Sequence, residues 1–343
     1  MSSSEPSAKR KRTEDETSAS RPPMRSDVWV EDGNIVLQAE NTQFKFYRGL
    51  LARHSAVFSD IFSVPQPEDP AAVEGCAIVH LSDSAEDVRY MLRWLLEPRS
   101  YTLKPTVSSV LSALRMGHKY MIVPLWEDVV ERLRCEFPTT LDGFYNQENV
   151  FGANIHFENE NDILRLADAV REAGLEMIMP MLYYRIINEC PVDVLTKGVF
   201  APHEPDGEPS TPYLGLQTRI TLLSGRIKVV SVFNRQLLRW TSAASSGCTD
   251  LGECTRVRHC MQGDEWAGAV IVGTHSPVEE RITLQLLCKM PKRIRDKLNK
   301  ELCCSCASSA GKAYNATQQW NWDALPSLFG LPDWKDLKDY TVL

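Results

Sequence analysis

The stretch FKFYRGLLARHSAVFSDIFS, from Phe44 to Ser63, starts as one kind of structure and finishes as another. Phe44 to Tyr47 reads as a β segment. Leu50 to Ala52 then reads as one helical turn, and Ser55 as the N-cap of a second helix whose buried side carries Val57, Phe58, Ile61 and Phe62. Upstream, Val28-Trp29-Val30 and Asn34 to Gln38 read as two more short strands. The Asp32-Gly33 pair between them is expected to supply a positive φ for a tight reversal, giving a meander or hairpin.

Downstream the pattern continues. Ala77 to Leu81 predicts another strand, and Ser84 with Asp87 three residues on predicts a helix start. Val88, Met91, Leu92 and Leu95 fall at i, i+3, i+4 and i+7, a single buried stripe. Val107, Val110, Leu111 and Leu114 repeat that spacing. Leu125, Val129 and Leu133 line a further helix opened by Pro124 and stopped before Pro138. A small sheet followed and interleaved by helices is an α+β arrangement.

Asp27-Val28 ahead of a strand, Phe44-x-x-Tyr47-Arg48-x-x-Leu51-x-x-x-Ser55-x-x-Phe58, and Gly117-His118-Lys119-Tyr120 together resemble a BTB/POZ domain over residues 25–138. One position departs from that pattern: the residue after Phe46, usually His in the family, is Tyr47. The resemblance implies an interaction module that commonly self-associates. It also implies that an acidic residue before the first strand and a basic residue at the start of the first helix meet in a charged pocket between subunits. The matching positions are Asp27 and Arg48, with Leu50 and Leu51 as the apolar centre of the same surface. The plainer alternative is two surface charges that never touch.

The whole chain has 343 residues, 43% apolar and 24% charged, which suits globular domains with cores of their own. A net charge of −7 gives no bulk attraction to nucleic acid or anionic membranes. No apolar run is long enough to span a bilayer and no hydrophobic leader opens the sequence, so the expected location is nucleus or cytoplasm. Residues 1–24 are rich in Ser, Pro, Glu, Lys and Arg and are expected to form a disordered tail; its Lys9-Arg10-Lys11-Arg12 cluster suits a nuclear import receptor.

Residues 139–343 read as mostly helical. Asn161 or Asp162 caps a helix with Ile163, Leu164, Ala167 and Val170 inward, ended by Gly174; Pro180 starts another with Leu182, Ile186 and Ile187 inward. Residues 201–212, with four prolines, read as an exposed linker, and Ser224-Gly225-Arg226 as a helix boundary. Val229, Phe233, Leu237 and Trp240 form a helical stripe; Ser276-Pro277-Val278-Glu279 starts a helix running to Cys288; Ile294, Leu298 and Leu302 mark one opened by Pro291. A C-terminal strap carrying Trp320, Trp322, Phe329 and Trp334 is expected to pack on the helices. A BTB-like domain followed by Leu166-Ala167, Met179-Pro180 and Tyr184, then a Cys-bearing helical region ending in Trp322-Asp323-Ala324-Leu325-Pro326 and Phe329-Gly330-Leu331, is similar to a set of BTB proteins from basidiomycete fungi, a likeness that says little about activity.

Ten cysteines in a reducing compartment are free thiols or metal ligands by default. Cys248, Cys254 and Cys260 recur every six residues, and Cys303-Cys304-x-Cys306 follows a helix. Cys303 and Cys306 have a spacing that can face one zinc, with Cys248 and Cys254 as candidate partners, although a C-x5-C half is not a standard finger. Buried thiols are the default reading, with no cofactor. Cys260 adjoins His259, but nothing nearby suggests an oxyanion hole, and no Gly-rich phosphate loop occurs. Lys289, Lys292, Arg293, Arg295, Lys297 and Lys300 are interspersed with Asp296 and Glu301, an ordinary solvated face. The expectation is a non-enzymatic adaptor, homodimeric, whose partners are proteins. Alternatives are a substrate receptor on a cullin-type ubiquitin ligase scaffold and a chromatin-associated regulator.

Overall fold

The computed structural model describes residues 22–64, 72–97, 104–146, 152–159, 161–197, 214–242, 245–261, 287, 290 and 292–341. The Lys9 to Arg12 cluster, the 201–212 linker and the helix expected from Ser276 to Cys288 lie outside these, apart from Leu287.

The N-terminal part is α+β. Strands β1 (Met24–Trp29), β2 (Ile35–Ala39), β3 (Thr42–Phe46), β4 (Ala72–Val73) and β5 (Cys76–Leu81) form one sheet in the order β1-β3-β2-β5-β4. β1 starts at Met24, the last residue of the segment expected to be tail.

Two expectations about the turns are corrected. β1 and β2 are not neighbours: β1 runs parallel to β3, and β2 pairs antiparallel with β3 and parallel with β5. The Val30–Asn34 loop wraps the end of β3, with Val30 N–H on Lys45 O at 2.9 Å and Asn34 N–H on Phe46 O at 2.9 Å. Gly33 is not among the positive-φ residues. It is needed for close approach, because a Cβ there would lie 2.9 Å from Phe46 O. The positive φ appears at the true hairpins, in Glu40 (52°) between β2 and β3 and in the Glu74-Gly75 pair (50° and 77°) between β4 and β5. The second is a two-residue turn with both φ positive, the form that follows the sheet's twist.

Among helices α1 (Arg48–His54), α2 (Ala56–Ser63), α3 (Ala85–Leu96), α4 (Val107–Lys119) and α5 (Val123–Glu136), α3 packs on β1, β2 and β3, α4 packs on α3 and α5, and α1 on α2. Ser55 caps α2 by accepting from Phe58 N–H at 3.0 Å while its own hydroxyl donates to Tyr120 O. Phe58 stacks on Tyr120 with centroids 4.4 Å apart. Ser84 caps α3 through Asp87 N–H, and the Val88, Met91, Leu92, Leu95 stripe is buried as its spacing requires.

The remainder is mostly helical: α6 (Leu141–Asn146), α7 (Asp162–Glu172), α8 (Met179–Glu189), α9 (Val192–Lys197), α10 (Leu216–Ser242), α11 (Leu251–Met261), α12 (Lys292–Glu301) and α13 (Cys304–Leu328). Gly174, with φ 67°, ends α7 as expected. α10 runs straight through Ser224-Gly225-Arg226, so no helix boundary falls there. Gly225 is kept small because Phe329 lies against it, and the buried Arg226 bonds the carbonyls of Ile187 and Cys190 at the end of α8. Val229 and Leu298 are buried; the side chains of Phe233, Leu237, Trp240 and Ile294 lie outside the described set.

Buried side chains from Val28 to Phe329 form one contiguous cluster that crosses residue 138. Glu136 ties the two parts: its buried carboxylate accepts the N–H groups of Gly152, Asn154 and Ile155 at 2.6, 2.8 and 3.3 Å. The C-terminal strap closes the structure. Trp334 stacks on Trp322 at 5.1 Å, Tyr340 N–H bonds Gly174 O, and Asp339 joins Arg134 to Met177 N–H. Trp320, expected in that strap, is exposed. Among the described residues no helix is long and apolar enough to cross a membrane.

Candidate metal centre and the β1 groove

Cys254 sits on the first turns of α11, Cys248 just before that helix, Cys303 at the N-cap of α13 and Cys306 in its first turn. Their four sulfurs all lie within 4.8 Å of one another, with Cys248 and Cys303 at 3.9 Å. The cysteines therefore lie where the starts of α11 and α13 meet, and Cys303 follows the end of α12 at Glu301, as expected from the sequence. Cys260, the third of the six-residue series, is exposed and belongs to no such group, as is its neighbour His259.

Backbone donors point into the cluster. Cys303 N–H donates to Cys254 Sγ at 3.3 Å. The N–H groups of Cys306 and Thr249 aim at Cys303 Sγ and draw its thiol down to about 5. Desolvation pushes the Cys248 thiol up to about 12. Without a cation the sulfurs cannot all ionise in so small a space.

Sequence reasoning missed Arg258. It is buried, and its Nη2 donates to Cys306 Sγ at 2.8 Å. The available signal was its place four residues after Cys254, on the same face of α11.

No protein-family model and no curated protein matches this chain.

The N-terminal candidates are placed differently from one another. Asp27 lies on the edge strand β1 beside α3, where Arg89 Nε donates to it at 3.0 Å and Arg93 also bonds it. Desolvation works to raise its carboxyl, and the Ser26 hydroxyl with the Arg93 and Arg89 guanidinium groups outweighs that, holding it below the usual carboxylate range. Arg48 does not reach it within the chain. Its guanidinium bonds Phe62 O at 2.7 Å at the end of α2, and its N–H is capped by Asn34 Oδ1 at 2.8 Å.

The apolar centre expected at Leu50 and Leu51 is corrected for Leu51. Leu51 is wholly buried in the subunit's own core, and Leu50 is half-buried against the same cluster. Leu51 therefore has no surface to offer another chain. A groove of about 440 Å³ lies beside β1 instead, lined by Asp27, Val28, Trp29, Val30, Arg93, Leu96 and Glu97, a mixed apolar and charged set.

Proposed function

We propose that this chain is a non-enzymatic protein-interaction adaptor of the BTB/POZ type, self-associating through residues 25–138. The observation that carries the reading is β1. Among the described residues it is the last strand on its side of the sheet, and its residues Asp27, Val28, Trp29 and Val30 line a groove together with Arg93, Leu96 and Glu97 of α3 and its C-cap. An unpaired strand edge next to mixed apolar and charged side chains suits another polypeptide, which supplies backbone hydrogen bonds and side chains together. The resemblance in Asp27, Phe44, Arg48, Ser55 and Phe58 supports the same reading.

The helical part offers a second surface. α10 leaves Leu216, Ile220 and Ile227 exposed among the described residues, one apolar line available to a second partner. Sedimentation velocity on the full chain at tens of micromolar tests the self-association: a dimer is expected, and a strict monomer overturns it. Affinity purification with mass spectrometry separates a cullin scaffold from chromatin proteins as the second partner.

A further inference from the structure

We propose that Cys248, Cys254, Cys303 and Cys306 bind one Zn²⁺ ion as a structural tetrathiolate site that clasps the start of α11 to the start of α13.

Three observations converge. The first is size. A tetrahedral zinc with Zn–S of about 2.3 Å needs sulfurs about 3.8 Å apart. The four sulfurs lie within 4.8 Å of one another, with one pair at 3.9 Å, so small side-chain adjustments bring all of them onto a single ion. The second is donor type: among the described residues the group is four sulfurs with no oxygen or nitrogen ligand, the set that selects a soft or borderline ion in tetrahedral geometry.

The third is the surroundings. A Zn(Cys)₄ centre carries a net charge of −2, since four thiols release four protons to solvent as the dication sheds its waters. Arg258, buried against Cys306 Sγ at 2.8 Å, forms no ion pair with a carboxylate among the described residues. It offsets half of that charge, and the Cys303 N–H on Cys254 Sγ stabilises another thiolate. Ligand sulfurs held by outer donors in this way are a recurrent feature of built metal sites.

The clasp closes a long loop. Cys303 follows Cys254 by about fifty residues, and fixing such distant positions removes much of the unfolded chain's freedom. It also anchors the first turn of α13, the helix that runs on to Trp322 and Phe329 in the core. This inference is independent of the self-association proposed above.

The test uses the full chain, purified in a phosphine reductant without chelator. Elemental analysis is expected to find one zinc per chain, and zinc-edge X-ray absorption to find four sulfur neighbours. Cys260→Ser retains the zinc, whereas Cys306→Ser and Cys254→Ser lose it. Those two variants can fail to fold, so the unaltered chain decides. Metal-free protein that takes up no zinc on incubation with zinc sulfate overturns the proposal. Iron in place of zinc, nitrogen or oxygen in the first shell, or a disulfide between any two of the four in the isolated chain does so as well.

Discussion

The ring of Phe329 lies directly over Gly225: a Cβ built on that glycine would fall 2.3 Å from Cδ1. Phe329 is itself buried and set edge-on to Tyr183 at 5.5 Å, so it has little room to retreat. Gly225→Ala should therefore destabilise the chain by about 1–3 kcal/mol through overpacking, although in an open helix the same change would gain about 1 kcal/mol. Urea denaturation of Gly225→Ala with and without Phe329→Leu checks this. The second change should relieve the first, and simple additivity would show that the contact is not the cause.

Asp87 carries the clearest pH dependence. Its carboxylate accepts two hydrogen bonds from Arg115, at 2.9 and 2.7 Å, and one from the Ser112 hydroxyl. Burial raises its pKa, and Arg115 and Ser112 more than reverse that, leaving it below the ordinary range. The unfolded chain then takes up the proton first as pH falls. Its contribution is full above about pH 4, the unfolded value, and is lost as pH drops through the lower folded one. Asp87→Asn should cost about 1–3 kcal/mol at neutral pH and flatten the acid limb of a stability–pH curve. An unchanged acid limb would remove Asp87 from the account.

Glu136 is the acceptor for three N–H groups of residues 152–155. Replacing it by Gln puts an amide donor among donors. We expect a loss of about 1–3 kcal/mol and, by hydrogen exchange, faster exchange at Gly152, Asn154 and Ile155 than in the rest of the fold. Equal exchange across the molecule would count against the role.

Asp27 separates stability from association. Its partners Arg89 and Arg93 are both partly exposed, and exposed pairs contribute about 0–1 kcal/mol. Asp27→Asn should leave the melting temperature nearly unchanged. If β1 and its groove form the contact between subunits, the same variant weakens the dimer about tenfold, or about 1.4 kcal/mol, in sedimentation equilibrium. A dimer of undiminished affinity would move the interface elsewhere.

Local chemistry was legible in the residues alone. Ser55 and Ser84 announce their helices because a side-chain oxygen two or three residues ahead of an orphan N–H acts over one turn. The Val88 to Leu95 and Ile163 to Val170 stripes reveal their buried faces because helical periodicity fixes which residues share a side.

Pairing at a distance was not. Whether β1 lies beside β2 or β3 depends on where a five-residue loop travels, and the Asp32-Gly33 pair is compatible with both. Gly225 reads as a break until Phe329, about a hundred residues later, is placed on it. Leu51 reads as interface or as core until the packing around α1 is known. The cysteine spacing named four candidates, and only the meeting of two helix starts put their sulfurs together with Arg258 beside them. Capping and periodicity act within a few residues, whereas strand order, close approach and side-chain convergence are set by the packing of the entire chain.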